Sequence, residues 1–316
     1  MKGRRGVVGL IVAYAVSLTG TRVSALALPW FVLVTTGSAT RTGLVVFAEM
    51  APYLLVRTLA GPAIDRRGPR RISVLADLLS TVLVAAIPLA HLMNALPFNL
   101  LLVLVAALGA ARGPGDAAKT SLTPDVAAAA GWPLERVTGT MQTVQRLAST
   151  AGPAIAGVLI AVSDATTALF VDAGSFALAA ACIAATAPPR QHTATDEAEP
   201  ERYLQRLRAG ATFLRSDGLL CALVVMVAVA NLIDAALISV FLPVWGLETG
   251  GGAAAVGTVL AVWEGGAIGG ALAATAFAHR LPRRATYFIA FILGSAPSYI
   301  VLALDAPLWT ILVVWG

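Results

Sequence analysis

Gly61-Pro62-Ala63-Ile64-Asp65-Arg66-Arg67-Gly68-Pro69-Arg70-Arg71 is the stretch on which the reading of this chain turns. Four arginines, an aspartate and two glycines are packed into a short connection between two long apolar blocks. Gly61 suits close packing where a helix ends, and Gly68 suits a tight turn. Asp65 places a negative charge at the edge of the apolar zone, where a helix N-terminus would welcome it. The arginines hold such a connection on one side of a bilayer.

Working outward, the same alternation of apolar block and charged connection fills the chain. Of the 316 residues, 58% are hydrophobic and 12% charged, against about 25% charged in soluble domains. So few charges cannot cover a water-soluble fold of this size, and blocks of this length call for lipid. At roughly 20 apolar residues per crossing, spans are expected over 8–34, 42–60, 72–92, 98–111, 139–162, 165–187, 219–245, 254–278 and 286–304. A tenth begins near Leu308 and reaches Gly316. The fourth block is short and is expected to run on through Gly113 and Pro114. The fold class is therefore an all-α membrane protein.

The connections assign the two sides. Lys2, Arg4 and Arg5, then the signature arginines, then Arg112, Lys119 and Arg136 fall on one side. Arg190, Arg202, Arg206, Arg208, Arg215, Arg280, Arg283 and Arg284 continue there, while the opposite connections offer only Arg41. The positive-inside rule makes the N-terminal side cytoplasmic. This topology accounts for the net charge of +5 and leaves no reason to expect nucleic acid. Cys182 and Cys221 both lie in apolar blocks, so no disulfide framework or metal site is indicated. No cleavable signal peptide is expected.

Residues 188–217 form the one long polar stretch, with an acidic run (Asp196, Glu197, Glu199, Glu201) and then a helix-like pattern through Tyr203, Leu207 and Leu214. It reads either as an amphipathic helix on the membrane surface or, for its acidic part, as a solvated tether. The chain thus divides into a six-span half (1–187), a linker (188–217) and a second part (218–316). The second part echoes the first. Leu28-Pro29 recurs as Leu242-Pro243 and Gly43 as Gly257, each 214 residues later, and Pro69-Arg70-Arg71 recurs as Pro282-Arg283-Arg284. That spacing indicates two parallel six-helix halves. In this register the second half is incomplete, so a working transporter is expected to need roughly 80–90 further residues.

The stretch 61–71 resembles the loop signature of the major facilitator superfamily in spacing and place. Ala148-Ser149-Thr150-Ala151-Gly152-Pro153-Ala154-Ile155-Ala156-Gly157 resembles the glycine-proline motif of that family's antiporters and drug exporters. Leu-Ala-Leu-Pro29, and Leu-Thr-Pro124-Asp125 in the fourth connection, extend the likeness to the macrolide-efflux and enterobactin-exporter branch. The resemblance implies a secondary active transporter that exports a drug, antibiotic or siderophore-like metabolite. Its driving force would be a proton gradient, without cofactor, in a bacterial inner membrane among lipids, as a monomer. It also implies that the fifth and eighth spans slide on each other, where Gly152, Pro153 and Gly157 would face Gly265 and Gly269. The rivals are lysolipid or nutrient uptake, and a membrane remnant that does not transport. A family arginine within span four has no counterpart by this reading, since Arg112-Gly-Pro-Gly falls at the cytoplasmic end.

Ionised groups at membrane depth need partners or a function. Arg22 and Glu264 fall near mid-membrane, with Asp234 farther out and Asn231 one turn before it. These are the candidates for proton coupling and substrate binding, since a desolvated carboxylate can load and release a proton. Glu49 and Asp172, in the outer half, divide evenly between that role and a structural one. Arg57, Asp77 and Arg146, nearer the cytoplasm, read as gate-bracing ion pairs or snorkelling side chains. His91, His192 and His279 stand apart, and no phosphate-binding loop occurs, so an enzyme is not indicated.

Overall fold

The computed structural model describes residues 2–187, 200–277 and 308–315. Within them the chain is helical throughout: α1 (Lys2–Thr36), α2 (Ala39–Leu59), α3 (Gly61–Arg67), α4 (Pro69–Leu92), α5 (Phe98–Ala130), α6 (Leu134–Val162) and α7 (Ala165–Thr186). Then follow α8 (Pro200–Ser216), α9 (Gly218–Ala236), a π-helical turn (Leu237–Phe241), α10 (Leu242–Glu248), α11 (Gly252–Phe277) and α12 (Leu308–Trp315). Among the described residues eight helical segments are long and apolar enough to cross a membrane, with α9, the π turn and α10 forming one of them. The expected ninth span, 286–304, and the repeated Pro282-Arg283-Arg284 lie outside the described residues.

Sequence explains the breaks. Gly68 adopts φ 82°, and its N–H bonds the Ile64 carbonyl, so α3 closes and α4 starts on Pro69. Pro at the first helical position loses nothing, because its N–H would be unbonded there. Asp164 caps α7 by accepting from the Thr167 N–H at 2.6 Å. Gly131 ends α5 in the left-handed conformation, φ 66°. Pro243 cannot donate to a carbonyl four residues back. The preceding turn widens, and the Leu242 N–H bonds the Leu237 carbonyl instead. Pro29, its mate in the repeat, sits inside an unbroken α1.

The fourth span corrects the expectation. It continues to Ala130 as one helix, so Leu-Thr-Pro124-Asp125 is helical rather than a connection, and Arg112 and Lys119 are buried among helices rather than in a solvated connection. Leu101, Val105, Leu108, Arg112, Gly115, Lys119, Leu122 and Val126 step by four and three residues along one buried seam of α5. That is the spacing of a helix-packing stripe.

The first six spans pack about two apolar cores. One joins Val23, Phe31, Val84, Leu101, Val105 and Leu169. The other joins Leu10, Ala13, Leu122, Val126, Val137 and Ile183 toward the signature loop. Between them α1 presents Ser17, Gly20 and Ser24, α4 presents Ser73, Asp77 and Ser80, and α5 presents Arg112 and Lys119, with the hydroxyls and charged side chains all buried. The bundle is thus a polar layer held between two apolar ones.

Candidate functional site

Spans one, five, seven and eight enclose a cavity of about 430 Å³, open mouth included. Arg22 of α1, Ser149 and Pro153 of α6, Ile238 of the π turn, and Trp263 and Glu264 of α11 are among its walls. Arg22 and Glu264, expected from depth alone, therefore face one space from two sides. Gly152 seats Arg22, for a Cβ there would run into the arginine's own Cβ. The Arg22 Nε is buried and has no hydrogen-bond partner among the described residues. Asp234 and Asn231 are not in this lining. Asn231 is exposed and donates to the Val227 carbonyl at 2.8 Å, and Asp234 is half-buried.

The other charges gather inside the first six spans. Arg112 of α5 bonds Glu49 of α2 as a buried ion pair. One turn along, the Tyr53 hydroxyl donates to Asp116 at 3.1 Å and accepts from Arg57. Both rungs join residues 63 apart, as two parallel helices in register require. Glycine permits the approach. A Cβ on Gly109 would collide with the Glu49 carbonyl, and one on Gly113 would lie 2.6 Å from the Tyr53 carbonyl oxygen. These residues form a small-xxx-small pair.

Asp172 of α7 is fully buried, with its Oδ2 accepting from Ser24 at 2.5 Å and its Oδ1 from Ser175 at 3.2 Å. Gly20 lets α1 press directly against this carboxylate, since a Cβ there would lie 2.5 Å from Oδ1. Asp77 of α4 accepts from Lys119 at 2.7 Å, and Lys119 also donates to Ser17 at 2.9 Å. Of the three residues expected to brace the gate or to snorkel, Asp77 is in an ion pair. Asp77 pairs with Lys119, Arg57 is exposed and donates to a tyrosine, and Arg146 is exposed on α6. Depth counting separated these residues by distance from the membrane edge, whereas helix phase decides which of them meet.

The packing motif is likewise relocated. α6 does lie against α11, but the crossing is Gly157 on Gly257, where a Cβ on Gly157 would come within 3.1 Å of the Gly257 Cα. Gly152 faces Arg22, and among the described residues Cβ atoms on Gly265 or Gly269 would meet nothing within 4 Å. In the signature loop, Gly68 makes the turn and Arg70 donates to the Ala184 carbonyl near the end of α7, where the helix dipole favours a cation. Asp65, Arg66 and Arg71 are exposed, and Gly61 opens α3. Among the described residues no three His, Cys, Asp or Glu side chains gather as metal ligands.

Arg112, Lys119, Asp116, Tyr53 and Ser24 are the residues sequence reasoning passed over. Their signal was present: Arg112 and Lys119 share the heptad phase of Leu108 and Leu122, which a solvated loop has no reason to keep.

The profile of the Major Facilitator Superfamily matches residues 10–316. Multidrug efflux pump Tap of Mycobacterium tuberculosis (strain ATCC 25618 / H37Rv) is 34% identical over 315 residues, covering 96% of this chain and 73% of the pump. The protein of the same name from Mycolicibacterium fortuitum is 31% identical over 316 residues, covering 98% of this chain and 76% of its own length. A signature loop closed by Gly68, a cavity walled by spans one, five, seven and eight, and a family match over nearly the whole length lead to one conclusion: the chain belongs to the major facilitator superfamily.

Proposed function

We propose that this protein is a proton-coupled exporter of small amphipathic molecules, drugs or secreted metabolites, in a bacterial plasma membrane with its N-terminus in the cytoplasm. The observation that carries the reading is Glu264, an acid at membrane depth on the wall of a cavity formed by spans from both parts of the chain. An ionisable group so placed is a functional residue by default. Its carboxylate can hold a proton or the positive end of a substrate, but not both. A cavity that faces the two sides in turn therefore exchanges one for the other. The one-sided arginines support the orientation, and the two Tap pumps support export as the direction. Asp172 and Glu49, held among Ser24, Ser175 and Arg112, act as the electrostatic frame behind the cavity. The lipid bilayer is the only other partner the reading needs.

The test is substrate accumulation in everted membrane vesicles carrying the protein, with and without an imposed pH gradient. Export predicts gradient-dependent uptake into everted vesicles, and Glu264→Gln should lower it at least about tenfold. Uptake indifferent to the gradient, or intact in that variant, would remove Glu264 from coupling. Movement only in the opposite direction would make the protein an importer.

A further inference from the structure

The cavity is lined by two opposite charges from different helices, and among the described residues they form no ion pair with each other. Arg22 comes from α1 and Glu264 from α11, and among the described residues neither has a salt-bridge partner. The guanidinium is not loosely placed. Its stem lies on Gly152, and its Nε is buried without an acceptor among the described residues. Arg22 is half-buried and makes no ion pair among the described residues, so the accessible part of its guanidinium favours an acceptor brought to it. The Ser149 hydroxyl, one turn from Pro153 on α6, lines the same wall and offers a second donor beside it. Across the cavity Glu264 offers only acceptor oxygens when ionised, and Trp263 next to it supplies an aromatic surface.

We infer that this cavity recognises a zwitterion, with Arg22 and Ser149 holding its anionic end and Glu264 its cationic end. A ligand with one charge meets one attractive wall and one repulsive wall. A neutral ligand leaves both charges desolvated and unpaired. Only a ligand carrying both charges satisfies Arg22 and Glu264 together, with its apolar body against Trp263, Leu260 and Ile238. The inference rests on the export reading for its biological sense, but its test requires no transport.

Three dansyl probes differ only in charge. Nα-dansyl-lysine is a zwitterion on a flexible stem, dansylcadaverine lacks its carboxylate, and Nα-dansyl-norleucine lacks its ammonium. Binding of each to purified protein in nanodiscs is followed by dansyl fluorescence. The zwitterion should bind about tenfold more tightly than either singly charged probe, as one added charge-assisted pair provides. Arg22→Gln should erase its advantage over dansylcadaverine, and Glu264→Gln its advantage over Nα-dansyl-norleucine. Arg22→Lys, which keeps the charge, should retain most of the preference. Monodisperse elution and a cooperative thermal transition certify that each variant is folded. If the zwitterion binds no better than the better singly charged probe, or keeps its advantage in Arg22→Gln, the inference is overturned and the two charges are a latch rather than a ligand site. Lost pH-driven transport with the zwitterion preference intact would sink the export reading alone. Intact transport without the preference would sink this inference alone.

Discussion

Gly157 of α6 and Gly257 of α11 meet backbone to backbone, so close that a Cβ on Gly257 would lie 2.5 Å from the Pro153 carbonyl oxygen. Gly257→Leu or Gly157→Leu should therefore force α6 and α11 apart and lower transport at least about tenfold, with insertion largely retained. Gly269→Leu is the control, since no described residue crowds it, and its transport should stay within about twofold of wild type. Vesicle transport normalised to membrane expression decides between the two sites.

The Lys119–Asp77 pair should be strongly coupled. Removing one member of a buried pair typically costs about 3–5 kcal/mol, because the other charge is left bare. Lys119→Met and Asp77→Asn should each lower the melting temperature sharply, and the double variant should recover part of the loss. Thermal denaturation of detergent-solubilised protein provides the cycle. Additive losses would mean that the two side chains do not share an environment.

Gly113→Ala tests the parallel pairing of α2 and α5. The new methyl would press on the Tyr53 carbonyl oxygen at 2.6 Å, lifting α2 and loosening both the Glu49–Arg112 and the Tyr53–Asp116 rungs. A loss of about 1–3 kcal/mol is expected, in the range for overpacking. Tyr53→Phe, which removes one rung without added bulk, should cost less.

Sidedness is open to direct labelling. On a background lacking Cys182 and Cys221, single cysteines at Ser163 and Thr249 should react with an impermeant maleimide in intact cells, and one at Glu135 should not. All three positions are exposed and lie near helix ends. Labelling of Glu135→Cys alone would invert the topology.

The eight described spans and the signature turn at Gly68 were legible because each rests on a local rule, hydropathy or the turn residue, and the pairing of spans five and eight followed from the family resemblance. The partners were harder to read. Assigning Arg112 and Lys119 to a loop followed from their charge, although their phase with Leu108 and Leu122 places them on the seam. The ion pair expected of Asp77 is there, but its partner Lys119 could not be named from depth. Gly265 and Gly269 look as suitable as Gly257 for close packing, and only the crossing point of two helices, a tertiary fact, separates them. Arg22 and Glu264 were found because a charge in the middle of an apolar block stands out whatever its neighbours.

The buried seam of α5 has a consequence for synthesis. Two cations in one apolar helix resist entry into the bilayer, at about 2.5–3.5 kcal/mol each near the helix centre. Their partners, Glu49 on α2 and Asp77 on α4, both precede them in the chain. The ribosome thus delivers both acids before either base, and the fourth span enters a membrane that already holds its counter-charges. In a glycosylation-reporter assay α5 alone should insert poorly, insert better behind α1–α4, and lose that help when Glu49→Gln and Asp77→Asn are combined. Chain order then sets the order of assembly.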